Sequence, residues 1–193
     1  MKRKSFDRIV TAIGFGLAVF LLIAAGLLNW GAGFASDSVS SQLKAQEITF
    51  PAATGNPDES ADVTKFFADN GEKILTTAKQ SQMYADHYLG FHLSKMPTYA
   101  AASNANRAAG AALAASPDDP ALKADAAAKS GMVETVFKGT MLRGTLLTAY
   151  AFGTLGSIAA IAALVSLAGA LVMLILSLLG FMHIRRVPED ATI

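Results

Sequence analysis

Two stretches of this chain are almost purely apolar, and a polar, helix-periodic sequence of about one hundred residues lies between them. The first, Ile9 to Ala35, reads IVTAIGFGLAVFLLIAAGLLNWGAGFA. The second, Gly144 to Met182, runs for 39 residues without a formal charge and stops at His183, Arg185 and Arg186. About 20 apolar residues rising ~1.5 Å each cross a ~30 Å hydrocarbon core, so each stretch is long enough to span a bilayer. The first is too long for the apolar region of a cleaved signal and reads as an uncleaved anchor. Trp30 stands where an amphipathic indole favours the outer interface. The second stretch has no good turn point for a hairpin of two spans, and a hairpin would set Arg185 and Arg186 against the positive-inside rule. It reads as one long helix. Its outer part, Gly144 to Gly156, would be apolar on all sides and must be wrapped by the central domain or by neighbouring subunits.

Between the two spans the pattern predicts helices joined by proline and glycine breaks. The spacing of Val39 and Leu43 carries the first helix on to about Gln46, and Ile48-Thr49-Phe50-Pro51 is extended because the residue before proline leaves the helical region. Asn56 reads as an N-cap with Pro57 at the first helical position, opening a helix to about Asp69 that Asn70-Gly71 ends. From Glu72 to Met96, residues Ile74, Ala78, Ala85, Leu89, His92 and Met96 share one helix face. Pro97 restarts the chain into an alanine-rich helix, Thr98 to Ala115, of high propensity but weak hydrophobic grip. Asp118-Asp119-Pro120 then opens the last helix, which runs into the second span.

Charge fixes the orientation that this pattern implies. The N-terminal tip carries Lys2, Arg3, Lys4 and Arg8, and the C-terminal tip carries Arg185 and Arg186. From Ser36 to Leu142 there are nine Lys/Arg against twelve Asp/Glu, a net charge of −3. Basic tips and an acidic middle place both termini in the cytoplasm and the middle outside. The expected organisation is therefore a basic tip (1–8), a first transmembrane helix (9–35), a helical extracytoplasmic domain (36–143), a long apolar helix containing the second span (144–182) and a cytoplasmic tail (183–193). The fold class is an all-α membrane protein with two transmembrane helices, the second unusually long. Cysteine is absent, so no disulfide framework supports the central domain. With no basic block or stripe outside the tips, nucleic acid is not an expected partner.

Candidate chemistry is sparse. His87 and His92 are five apart, about 140° round a helix, too far for the i,i+4 chelation of one metal. His92 in the apolar stripe reads as a packing histidine, with a ligand-binding or pH-sensing role as the sharper alternative. There is no serine elbow, P-loop or dinucleotide glycine pattern, and the spans hold no Asp, Glu, Lys or Arg of the kind that proton and ion pathways use. No catalytic residue, metal or cofactor is expected, and the protein is not expected to be an enzyme. Arg143, at the head of the long apolar run, is the most interesting charge, either in solvent or paired with an acidic residue such as Glu134 or with a partner.

The small residues point to association. Ala149, Gly153, Ser157, Ala160 and Ala163 recur at spacings of three or four, as do Ala159, Ala162, Ser166 and Ala170. Gly14, Ala18, Ala25 and Gly33 do much the same for the first span. Such positions let helix backbones approach closely in lipid. Two small faces on the second helix serve packing within one chain and leave one for a second copy or another membrane-protein subunit. The alternative is a homo-oligomeric pore lined by Thr148, Thr154, Ser157 and Ser166.

The segments LNW…VSSQLKAQEITFP, AKQSQMYADHYLGFHL, TYAAAS and FKGTMLRGTLLTAYAFGTLG resemble those of a family of small two-span actinobacterial membrane proteins. The resemblance covers most of the chain and implies a cell-envelope protein of unknown role. Members often carry the label aromatic ring-opening dioxygenase, an activity that needs non-haem iron on histidine and carboxylate ligands. The spacing of His87 and His92 does not supply that arrangement on one helix. The expectation is a non-catalytic accessory or scaffold subunit of the plasma membrane, self-associating or docked on a respiratory or transport assembly.

Overall fold

The computed structural model describes residues 2–189, 191 and 192; of the two tips, Met1, Asp190 and Ile193 lie outside the described residues. Every regular element among the described residues is helical: α1 Arg3–Gln46, α2 Ala61–Asn70, α3 Ala78–Met83, a π-helical turn Tyr84–Leu89, α4 Gly90–Ser94, α5 Tyr99–Ala115 and α6 Pro120–Ile184. Both α1 and α6 are long and apolar enough to cross a membrane. Only 22% and 11% of their most apolar stretches are buried, whereas the core helix of a water-soluble domain would be mostly buried. The chain divides into two compact units, Met1–Asp37 with Thr154–Ile193, and Ser38–Gly153.

The first unit is an antiparallel helix pair. Gly14 faces Ser177 and Met173, Leu21 faces Gly169, and Gly156 faces Ala35 and the carbonyl of Ala32, which fixes the register along the whole pair. Buried positions recur every seventh residue: Thr11, Ala18 and Ala25 on α1, and Gly156, Ala163, Ala170, Ser177 and Ile184 on α6. A sustained seven-residue repeat keeps one seam facing the partner helix. Apart from Ile184 the seam is built of small residues, which let the two helix backbones approach closely. Ala163 from one expected face and Ala170 from the other thus share this seam. Gly33, expected at a packing position, has nothing within 4 Å of where a Cβ would stand, and Ala35 packs instead. At the end where α1 begins and α6 finishes, Lys2 bridges Thr192, and the Arg3 amide donates to the Ala191 carbonyl at 3.1 Å.

The second unit is held by an aromatic and aliphatic core of Val39, Leu43, Phe50, Phe67, Leu75, Met83, Ala85 and Leu146. Phe50 is its centre, fully buried, with ring centroids 4.6 Å from Phe67, 5.9 Å from Phe66 and 6.0 Å from Tyr84. α1 stops where Glu47 takes a positive φ of 50°. The extended segment that follows pairs with the chain after α2: Phe50 donates to Lys73 O and Glu72 donates to Phe50 O, both at 2.8 Å, and Leu75 donates to Ile48 O at 2.9 Å.

Several boundaries differ from the sequence reading, each for a local reason. Ser60, not Asn56, caps α2, its Oγ accepting from the Val63 amide at 3.4 Å. Asn56 instead turns the preceding loop, its Oδ1 accepting from Asp58 N at 3.1 Å. At the end of α2, Glu72 rather than Gly71 takes the left-handed conformation, with φ 61°. Gly71 is needed for closeness, since a Cβ there would stand 3.0 Å from Ala52 Cα. The helix expected from Glu72 begins only at Ala78. Thr77 and Gln80 form a reciprocal capping box, and Gln80 Oε1 also accepts from the Thr76 amide at 2.8 Å. Ile74 therefore lies in a loop, bridged to Thr49 and 45% exposed, rather than at the head of a helical stripe. By contrast, α5 starts after Thr98, whose Oγ1 caps the Ala101 amide, and α6 starts after Asp119, whose Oδ1 accepts from Ala121 and Leu122, as the sequence indicates.

Candidate functional site

The π-helical turn Tyr84–Leu89 interrupts the helix that follows α3, and the Arg143–Asp86 ion pair and the His87–Glu59 contact, each between residues far apart in sequence, converge on it. Such turns carry one extra residue and often mark functional positions. One extra residue rotates everything downstream by about 100°. The expected stripe still packs at Ala85 and Leu89 but not at its far end: His92, expected to pack, is exposed, and its Nδ1 lies 2.8 Å from the Tyr88 carbonyl. The rings of Tyr84, Tyr88 and His92 stack in series at 5.0 and 4.4 Å and carry the aromatic core outward from Phe50. Gly55, with φ 79°, passes close enough that a Cβ would stand 3.5 Å from the His92 ring.

His87, on the turn, faces both carboxylate oxygens of Glu59 at 3.1 Å, a contact that needs a proton on Nδ1. This pair ties the turn to the loop before α2. Arg143 on α6 donates from Nε to Ala85 O at 3.0 Å and from a terminal nitrogen to Asp86 Oδ1 at 3.1 Å. Ala85 O also accepts the Gly90 amide across the π-turn, so it serves two donors. Of the alternatives for Arg143, pairing with an acidic residue of the central domain holds, but with Asp86 and not with the suggested Glu134. Nine residues along one helix place Glu134 and Arg143 about half a turn apart, on opposite faces. Glu134 instead pairs with Lys138 at 2.6 Å, and that hydrogen bond, followed by the lysine's charge, lowers its pKa.

Arg143 and Asp86 are each more than one-third exposed, so the pair is worth little as a bare salt bridge. We expect Arg143→Ala to lower stability by about 1 kcal/mol, most of it from the lost hydrogen bond to Ala85 O. Thermal unfolding of wild type and variant checks this; equal midpoints would mean that the guanidinium contributes nothing. Burial, and secondarily Tyr88, push the Tyr84 phenol above its usual 10.0. The neutral phenol is thus favoured in the fold, and the unfolded chain ionises first. Stability should hold below pH 10 and fall as pH rises above it, and Tyr84→Phe should flatten that fall in a pH series of urea melts.

The small residues singled out on α6 divide between the two units. Ala149 packs against the aromatic core and Gly153 against Ala78, in the second unit. Ala163 and Ala170 lie in the helix seam of the first unit, Ala160 and Ser166 are half-buried, and Ser157 is exposed. The apolar passage from Gly144 is covered on one side only. Leu146 is buried, while Thr148 and Phe152 are exposed, with Met141 and Phe137 continuing the same face at 55% and 50% exposure. The Phe137 ring lies 6.0 Å from that of Tyr99, beside an open groove of about 360 Å³ that Asn106, Ser130 and Glu134 also line.

No protein-family model, no curated protein and no solved structure matches this chain.

Proposed function

We propose that this protein is a non-catalytic integral membrane subunit of the cell envelope, of the actinobacterial kind its motifs resemble, that works by docking on itself or on a larger membrane complex. The observation that carries the reading is the apolar face of α6 in the second unit. Phe137, Met141 and Phe152 are each at least half exposed, although Tyr99 of α5 borders the first of them. They fall on one side of α6, since steps of four and eleven residues bring side chains back to nearly the same direction. Exposed large apolar side chains in line are the signature of a covered surface in the assembled protein.

Both termini are cytoplasmic in this reading, and the acidic middle is extracytoplasmic. The antiparallel pairing of α1 with α6, with Lys2 beside Thr192, supports the first part, and the basic tips support both. The tie of Arg143 to Asp86 and that of His87 to Glu59 join separate elements of the domain, which suits a scaffold.

The test is to extract the protein from its own membranes in mild detergent, measure the mass of the complex and identify co-purifying chains by mass spectrometry. Stoichiometric foreign chains make it an accessory subunit, and a homogeneous oligomer makes it self-associating, with conductance then separating scaffold from pore. A lone monomer contradicts the proposal. In either supported case, Phe152→Ser with Met141→Ser should release the partner.

A further inference from the structure

The polar groups left unused in the helix pair gather at the end where α1 begins and α6 finishes. A cleft of about 280 Å³ lies there, with Asp7, Thr11, Ser177 and His183 among its lining residues and Phe6 and Met173 among its apolar walls. Ser177 is only 3% exposed, yet among the described residues its Oγ has no hydrogen-bond partner. Other hydroxyls on the same helix do find one: Thr135, Thr145 and Thr148 donate to the carbonyls of Gly131, Met141 and Gly144 at 2.9, 3.0 and 3.0 Å. Asp7 Oδ2 is also buried and accepts no hydrogen bond among the described residues; His183 Nε2 stands 3.8 Å away, near enough for an ion pair when the ring is protonated but not for a hydrogen bond. Thr11 is 6% exposed beside them. Glycine keeps the space open, because a Cβ on Gly14 would stand 2.9 Å from Ser177 Oγ.

A buried carboxylate oxygen and a buried hydroxyl that receive no hydrogen bond are costly unless something brings them donors. We infer that this cleft binds the primary ammonium group of an amphiphile, the headgroup chemistry of an aminophospholipid, through Asp7, Ser177 and Thr11. An ammonium has three N–H donors and no acceptor, which matches three oxygen acceptors, one of them charged. A divalent metal fits less well, since it takes six or more oxygens and usually several carboxylates. Among the described residues, no group of three His, Cys, Asp or Glu is arranged to hold a metal. The apolar walls suit an alkyl chain. The exposed Arg8, Arg185 and Arg186 at the same end suit the phosphate of a lipid and favour that source over a free amine.

The site rests on the membrane reading for the lipid source, though not for the ammonium chemistry. The test uses native mass spectrometry of the full chain released from vesicles of equal parts phosphatidylethanolamine and phosphatidylcholine with the same acyl chains. The choline headgroup keeps the charge but has no N–H. Ethanolamine-lipid adducts should exceed choline-lipid adducts by about tenfold, the ratio that one hydrogen bond to a charged group supports. Asp7→Asn and Ser177→Ala should each abolish that preference. Ser177→Ala removes a hydroxyl without a partner, so it should fold as the wild type does. Equal adducts in the wild type, or a preference that survives Asp7→Asn, overturns the inference. In a second arm, dodecylamine is added to the detergent-solubilised protein and the thermal midpoint is read. A rise that Asp7→Asn removes, without any lipid preference, assigns the site to a free alkylamine. Carbonate extraction of the same membranes scores the membrane reading separately. Release into the supernatant sinks that reading alone, and retention without headgroup preference or amine response sinks the site alone.

Discussion

Phe50→Ala should cost the Ser38–Gly153 unit about 3–5 kcal/mol, a large part of the stability of an ordinary domain. Phe50 is fully buried, and the rings of Phe66, Phe67 and Tyr84 all close on it. Alanine would leave a cavity that three rings held on two elements, α2 and the π-helical turn, cannot all move to fill. The backbone pairing of Phe50 with Lys73 and Glu72 makes no use of the side chain, so the local chain path should survive while the core loosens. Hydrogen exchange followed by mass spectrometry reads this directly. Protection should fall across α2, α3 and the 48–50 and 72–75 segments, and stay unchanged in residues 9–35. Uniform loss across both units would mean that they fold as one, and no loss would remove Phe50 from the centre of the core.

Gly153→Leu is the second large effect. A Cβ at Gly153 overlaps the Cβ of Ala78, at the first residue of α3. Overpacking of this kind costs about 1–3 kcal/mol, more when backbones have to separate, and outweighs the gain of up to about 1 kcal/mol from replacing glycine in a helix. The cost falls within one chain. The thermal midpoint of the variant should drop, and Ala78→Gly in the same molecule should restore part of it. If Gly153 instead sits at a contact between copies, the variant would change the mass of the complex and leave the midpoint where it was.

Much of the architecture was legible because it depends on composition over long windows. The two apolar stretches, the helix extension through Val39 and Leu43, the extended Thr49–Phe50, the helix restart after Pro97 and the cap at Asp119 all follow from patterns that local physics enforces. What was not legible depended on contacts. The start of α3 at Ala78 is set by the Thr77–Gln80 capping box, which the hydrophobic period of the surrounding residues hides. The π-turn at Tyr84–Leu89 breaks that period midway, and so turns His92 from a packing position to an exposed one. Two signals were available and could have been used. The seven-residue recurrence of Gly156, Ala163, Ala170 and Ser177 indicates a single seam rather than two faces. The nine-residue spacing of Glu134 and Arg143 excludes their pairing on a straight helix. The partner of Arg143, Asp86, is 57 residues away, and no local pattern identifies it.

The central claim is that α1 and α6 cross a bilayer as an antiparallel pair, with both ends of the chain on one side and the acidic middle on the other. The chain contains no cysteine, so single substitutions report position without background. The measurement is labelling of Ser5→Cys, Ser116→Cys and Pro188→Cys by a membrane-impermeant maleimide, in intact cells whose outer layers admit the reagent and again after permeabilisation. The account predicts that Ser116→Cys labels in intact cells, whereas Ser5→Cys and Pro188→Cys label only once the membrane is opened. Labelling of Ser5→Cys and Pro188→Cys on opposite sides, or protection of all three until permeabilisation, would contradict it.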